Sequence, residues 1–358
     1  MDQELLFRTF GIIVTTFITV VVLIPFIKKI AIQINAIDIP RNRHIHTKPI
    51  PKLGGVAMFI GFLIGYMIFG IHSVTMNAVL IGSFFIILIG VVDDIVELKP
   101  ITKFSGQLAA TCVIVFYGNM VMNSISAFGF ELNFPIGISH LITIFFILGC
   151  INCINLIDGL DGLSGGISFI YFLTVGIISI IKGSFGLEYI LSFIMVGSVL
   201  GFLAYNFNPA TIFAGDSGSM FMGFIISVIA LLGFKNVTLT SLIIPLLILA
   251  IPILDTLFAI IRRLIKGQSI AQADKSHIHH QFLSRNFTQR QTVLIIYIVD
   301  ALFAFSSIVY VLRDRVIGYI LYILLFIIVL IFVLKTNVLF EHKKGNKKWK
   351  YTFVHQHL

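Results

Sequence analysis

Long apolar runs separated by short polar loops fill almost the whole chain. Runs near the roughly 20 residues that carry a helix across a bilayer recur from end to end. Each is continuously apolar, which indicates membrane helices over barrel strands. The pattern predicts eleven of them, over residues 5–27, 53–71, 74–92, 104–121, 137–153, 164–181, 189–206, 218–234, 239–260, 292–311 and 317–334. The expected architecture is all-α and polytopic: one transmembrane catalytic domain over 1–334, then a basic tail over 335–358. Between the fourth and fifth helices, the alternating SISAFGFELNF within the loop 118–136 predicts a short β-hairpin, a candidate for homodimer contacts.

Composition removes the soluble alternatives. Of 358 residues 58% are hydrophobic and only 11% charged, giving a mean hydropathy of +1.03. The basic residues then set the orientation, because Lys and Arg stay on the cytoplasmic side. With the N-terminus outside and eleven crossings, 20 of the 25 Lys and Arg fall on the inner side, including a cytoplasmic C-terminal tail. An even number of crossings would place that tail outside. The start, MDQELLFR, is acidic and no small-residue cleavage site follows, so the first helix is expected to be retained. The net charge of +9 lies beside membrane helices, which points to anionic head groups or phosphate substrates and away from nucleic acid. Among the tail lysines, Trp349, Tyr351 and Phe353 suit an interfacial segment. Cys112, Cys150 and Cys153 form no disulfide framework or metal set and read as packing residues.

The remaining anomaly is the position of the carboxylates. Asp93, Asp94, Asp158, Asp161 and Asp216 stand at the ends of separate apolar segments, and the predicted topology puts all of them on the inner face. An aspartate pair can merely end a helix in water. Adjacent residues, however, point about 100° apart on a helix, so Asp93 and Asp94 suit divided work, one holding a hard cation while the other accepts a proton. In INCINLIDGLDGLSGG, Asn152, Asn155, Asp158 and Asp161 recur every three residues, offering amide and carboxylate oxygens to a metal or a nucleotide. Asp216 lies between glycines just ahead of an apolar run, where a helix N-terminus can approach an anion. Two prolines stiffen the basic loop HTKPIPKLGG, and Lys103 is a candidate phosphate contact. So are His277, His279 and His280, since no cysteine or carboxylate completes a zinc set around them.

Taken in order, HTKPIPKLGG, the DD pair of DDIVE, NCINLIDGLDGL, GDSGS and HIHH resemble the polyprenyl-phosphate N-acetylhexosamine-1-phosphate transferase superfamily, from about His46 to His280. Its members move a sugar-1-phosphate from a UDP-sugar to a lipid phosphate, releasing UMP, with magnesium and sometimes manganese. The resemblance implies that Asp93 is the base on the lipid phosphate and that Asp94 orients that phosphate or the metal. Asp216 and Asn155 would be the magnesium ligands. Asn152, Asp158 and Asp161 would bind the uridine side, and Lys48, Lys103, His277, His279 and His280 would neutralise phosphate charge. Muramoyl-pentapeptide translocases typically have ten helices and three successive histidines before HFE. HIHH before QFL and an eleventh helix instead favour the branch that joins UDP-GlcNAc to undecaprenyl phosphate in the bacterial cell membrane. The Ile-, Phe-, Lys- and Asn-rich composition points further, to wall teichoic acid. Glu97 departs from the aspartate that many relatives carry there. The main rival is a polytopic transporter, whose best feature is Asp300, apparently mid-membrane in IIYIVDALF.

Overall fold

A computed structural model of the chain describes residues 3–40, 48–127, 130–235, 249–265, 278–312 and 315–335. The helices are α1 (Gln3–Gln33), α2 (Gly54–Phe69), α3 (Val74–Val96), α4 (Pro100–Cys112) with a π turn at Val113–Tyr117, α5 (Ile136–Ile157) and α6 (Leu163–Lys182). They continue as α7 (Leu187–Asn206), α8 (Gly215–Lys235), α9 (Ala250–Ile265), the short α10 (Ile278–Leu283), α11 (Gln289–Leu312) and α12 (Arg315–Leu334). Each of the eleven apolar runs overlaps one of these helices. Among the described residues, seven helices are long and apolar enough to cross a membrane, and two shorter apolar helices, 54–69 and 316–331, accompany them. The first half of the ninth run, His277 and the tail beyond Lys335 lie outside the described residues.

Helix α8 is the axis of the bundle. Of its most apolar window 89% is buried, against 28% for α1, because α2, α3, α5, α6 and α7 all pack around it. The periphery presents large apolar side chains such as Phe7, Phe10, Met67 and Phe145, as a lipid-facing surface requires. Lipid tails are as apolar as leucine, so helix association there depends on close fit more than on hydrophobic transfer. One such close fit, backbone against backbone, lies at the first turn of α8. A β-carbon on Gly55 of α2 would run into the Gly218 backbone, and one on Gly90 of α3 would run into Ser217.

Two small antiparallel ladders complete the fold. β1 (Ile37–Asp38) pairs with β2 (Ile50–Pro51) in the register Ile37↔Pro51 and Asp38↔Ile50. β3 (Ser124–Ala127) pairs with β4 (Phe130–Asn133), so the alternating loop forms the expected hairpin. The first ladder continues as a backbone clasp. Lys52 N–H donates to Ala36 O at 2.9 Å, Phe213 N–H to Pro51 O at 2.9 Å, Gly54 N–H to Phe213 O at 2.9 Å and Gly55 N–H to Ala214 O at 3.0 Å. The α1–α2 connection is thereby sewn to the α7–α8 loop directly ahead of Asp216.

Candidate active site

The carboxylates meet around that first turn of α8. Asp94, buried at the end of α3, accepts three hydrogen bonds from it: Asp216 N–H at 2.8 Å, Ser217 N–H at 3.2 Å and Ser217 Oγ–H at 2.8 Å. The first amides of a helix have no partner within their own helix. Asp94 therefore caps α8 from a different helix, with its negative charge at the positive end of the helix dipole. Asp93, one residue earlier, turns the other way. Its Oδ1 accepts Leu98 N–H at 2.7 Å and so closes the end of α3, while its Oδ2 accepts from Lys103 Nζ at 3.1 Å. Pro100 starts α4 immediately afterwards, which brings Lys103 onto the first turn facing back. Lys103 also ion-pairs with Asp216, so one ammonium bridges Asp93 and Asp216.

In front of this turn opens a polar cavity of about 410 Å³. Its walls come from α3 (Asp94), α5 and the loop after it (Asn155, Asp158, Gly159, Leu160, Asp161), and the α7–α8 region (Asn206, Phe213, Gly215, Asp216). Asp38 and Lys52 of the first ladder, His280 of α10 and Gln289 at the start of α11 complete it. Asn155 Oδ1 accepts Ser219 Oγ–H at 2.8 Å, which ties α5 to α8. Asp158, just past α5, accepts Ser164 Oγ–H at 2.6 Å. Burial first, and then the negative field of Asp216, Asp94 and Asp161, push its carboxyl up to about 7 against the lowering effect of Ser164. A carboxyl in that range can donate as well as accept near neutrality.

The expected site residues thus fall into groups. Asp94, Asn155, Asp158, Asp161, Asp216 and His280 share the cavity wall, and Asp93 and Lys103 sit behind Asp216. Asn152, one turn back on α5, exchanges hydrogen bonds with Gln107 of α4, its Nδ2 donating to Gln107 Oε1 at 2.9 Å. Asp161 reaches across to the other loop, where its Oδ2 accepts Asn208 Nδ2–H at 2.9 Å and Ala210 N–H at 3.0 Å. Lys48 is exposed and absent from the cavity wall. The His277 backbone and the His279 side chain lie outside what the structure describes. Sequence reasoning passed over Asp38, Lys52, Asn206, Phe213 and Gln289. Of these, Lys52 stood inside the quoted segment HTKPIPKLGG, but nothing in its spacing pointed it at the cavity.

Residues 76–234 match the family described as "Glycosyl transferase family 4". The chain is 41% identical over 312 residues to "Probable undecaprenyl-phosphate N-acetylglucosaminyl 1-phosphate transferase" of Bacillus subtilis (strain 168), covering 86% of this chain and 87% of that protein. The chain belongs to glycosyl transferase family 4. It is also 31% identical to "Decaprenyl-phosphate N-acetylglucosaminephosphotransferase" of Mycolicibacterium smegmatis, over 79% of this chain and 77% of that one. A third relative, "Undecaprenyl-phosphate alpha-N-acetylglucosaminyl 1-phosphate transferase" of Haemophilus influenzae, is 32% identical over 80% and 82%. The matched family segment contains the α3 to α8 side of the cavity. Asp38, Lys52, His280 and Gln289, which close it, lie outside that segment.

A second, apolar hollow of about 290 Å³ runs between α5 and α9. Phe145, Phe146, Ile154, Ile253, Leu257 and Ile260 line most of it. Cys153 and Thr256 also line it, and Thr256 Oγ–H donates to Cys153 Sγ at 3.5 Å. Its lining on α5 stops at Ile154, next in sequence to Asn155 of the polar cavity.

Proposed function

We propose that this protein transfers N-acetylglucosamine-1-phosphate from UDP-GlcNAc to undecaprenyl phosphate at the cytoplasmic face of the bacterial membrane, releasing UMP. The product, undecaprenyl-diphospho-N-acetylglucosamine, would be the first lipid-linked intermediate of a surface polymer, wall teichoic acid on the compositional reading. The observation that carries this is the adjacency of a carboxylate-lined polar cavity and an apolar groove along one helix, α5. A water-soluble sugar nucleotide and a lipid phosphate have to meet at such a junction. The names of the three relatives support transfer of N-acetylglucosamine phosphate to a polyprenyl phosphate, undecaprenyl phosphate in two of them and decaprenyl phosphate in the third.

The donor set fits magnesium. Among the described residues no three His, Cys, Asp or Glu side chains cluster tightly enough to hold an ion alone. Magnesium is usually held by one or two carboxylates together with substrate phosphates, and Asp216 with the amide oxygen of Asn155 supplies that partial set on one wall. When bound, the metal would offset the diphosphate charge. Asp94, with both oxygens hydrogen-bonded to α8, holds Asp216 in place. Asp93 takes the remaining proton of the lipid phosphate, and Lys103 keeps its carboxylate oriented between Leu98 and Asp216. The freed phosphate oxygen attacks the sugar-linked phosphorus, the bond to the second phosphate breaks, and UMP leaves. Asp158, Asn206 and the ring of Phe213 form the part of the wall suited to the nucleoside.

The test is UMP release by the purified protein in detergent, given UDP-GlcNAc, undecaprenyl phosphate and magnesium. Release that requires both lipid and metal supports the proposal. Release only with a different UDP-sugar would change the donor, and no release with any donor would overturn the reaction.

A further inference from the structure

Among the described residues, carboxylates outnumber basic groups on the wall of a pocket that must accept a diphosphate. Five aspartates line it, Asp38, Asp94, Asp158, Asp161 and Asp216, against one lysine, Lys52, and one histidine, His280, among the described residues. Lys103 does not correct the balance, because its ammonium is already spent between Asp93 and Asp216 behind the wall. Lys52 differs on every count. Its backbone is pinned on both sides by the clasp, through its own amide to Ala36 and through Pro51 and Gly54 to Phe213. Its side chain is half-buried and lines the cavity, close enough for its charge to act on Asp216, and no ion pair among the described residues engages it.

We infer that Lys52 is the residue whose ammonium binds the diphosphate of the nucleotide donor, between the Phe213 wall and Asp216. This deepens the transferase reading and rests on it. A fixed backbone with a flexible four-carbon stem suits a point-charge contact to phosphate oxygens, which needs no single geometry. The lysine four residues earlier, Lys48, is exposed and outside the wall. The backbone anchors at Pro51, Lys52 and Gly54 hold Lys52, and not Lys48, against the α7–α8 loop.

The experiment uses the full chain in detergent and compares wild type, Lys52→Gln and Lys52→Arg. Binding of UDP and of uridine is measured by calorimetry with magnesium present, alongside the KM for UDP-GlcNAc and kcat. Lys52→Gln should weaken UDP by about tenfold, as expected for one charged hydrogen bond, and raise the donor KM by a similar factor. It should leave uridine affinity and the lipid KM unchanged, and Lys52→Arg should recover most of the loss. Retained uridine binding reports an intact fold. If Lys52→Gln binds UDP as wild type does, or loses uridine to the same degree as UDP, the assignment fails while the transferase reading stands. If the wild-type protein itself binds no uridine nucleotide and releases no UMP, that reading fails and takes the assignment with it.

Discussion

Two buried carboxylates in two apolar helices are treated in opposite ways by this fold. Asp94 at the end of α3 receives three hydrogen bonds from the first turn of α8. Asp300 in the middle of α11 is fully buried, and neither of its oxygens has a hydrogen-bond partner among the described residues. A buried polar group without a partner costs stability, whereas a satisfied one holds its surroundings in a single arrangement. The sequence-level case for transport leaned on Asp300. Ion paths are built from chains of polar groups, and one turn either way from Asp300 on its own helix stand Ile296, Tyr297, Phe303 and Ala304, with the Tyr297 hydroxyl donating elsewhere, to Gly162 O. The organised carboxylates are at the other place, where α3, α5 and α8 converge.

That contrast can be broken most directly at the reacting groups. Asp93→Asn and Asp216→Asn should each reduce UMP release by about a thousandfold or more, the scale of losing a base or a charge-stabilising group. A loss below tenfold in either would move the chemistry elsewhere. Next comes the cap. Asp94→Ala strands two buried α8 amides and a hydroxyl, so it should destabilise by about 3 kcal/mol and lower the detergent Tm by roughly 5–10 °C. Asp94→Asn, which can still accept, should lose less.

A smaller effect sharpens the comparison through pH. The fold raises Asp158 from 3.8 to about 7, so the native state holds a proton that the unfolded chain releases. Its contribution to stability is therefore fully present below about pH 4 and declines as pH rises towards 7, then levels off. In magnesium-free protein, Asp158→Asn should flatten that decline in a Tm–pH series between 4 and 8. The smallest change is expected at Asp300. Asp300→Leu removes a carboxyl with no described partner, so stability should stay equal or rise by about 1 kcal/mol, with turnover within about twofold of wild type. Abolished turnover there would give Asp300 a part in the reaction that its surroundings do not suggest.

The helical skeleton was legible because hydrophobic continuity is a local signal, and so was the hairpin, whose alternation sits within eleven residues. The chemistry-bearing types were legible as well: Asp93, Asp94, Asn155 and Asp216 stand out because charge and amide are rare in such company. What pairing they adopt was not. Asp94 and Ser217 lie 123 positions apart, and Asp161 and Ala210 lie 49 apart. No period or spacing encodes such meetings, which come from α3 and α5 both packing on α8. Asp161, expected at the uridine, also fastens one loop of the site to another, a duty invisible until both loops are placed. Lys48 and Lys52, four apart, are in phase along an extended chain, so alternation could not tell them apart; what separates them is the distant pairing of Pro51 and Gly54 with Phe213.

The clasp between the α1–α2 connection and the α7–α8 loop is made of main-chain amides and carbonyls alone. Such a seam holds Gly54 and Gly55 to glycine but places no demand on the side chains at 52 and 213. Over evolutionary time the wall can exchange the side chain at position 52, or the ring at 213, while the reacting carboxylates stay where they are. A lineage could in this way move to a different sugar nucleotide by single substitutions, without first dismantling its catalyst.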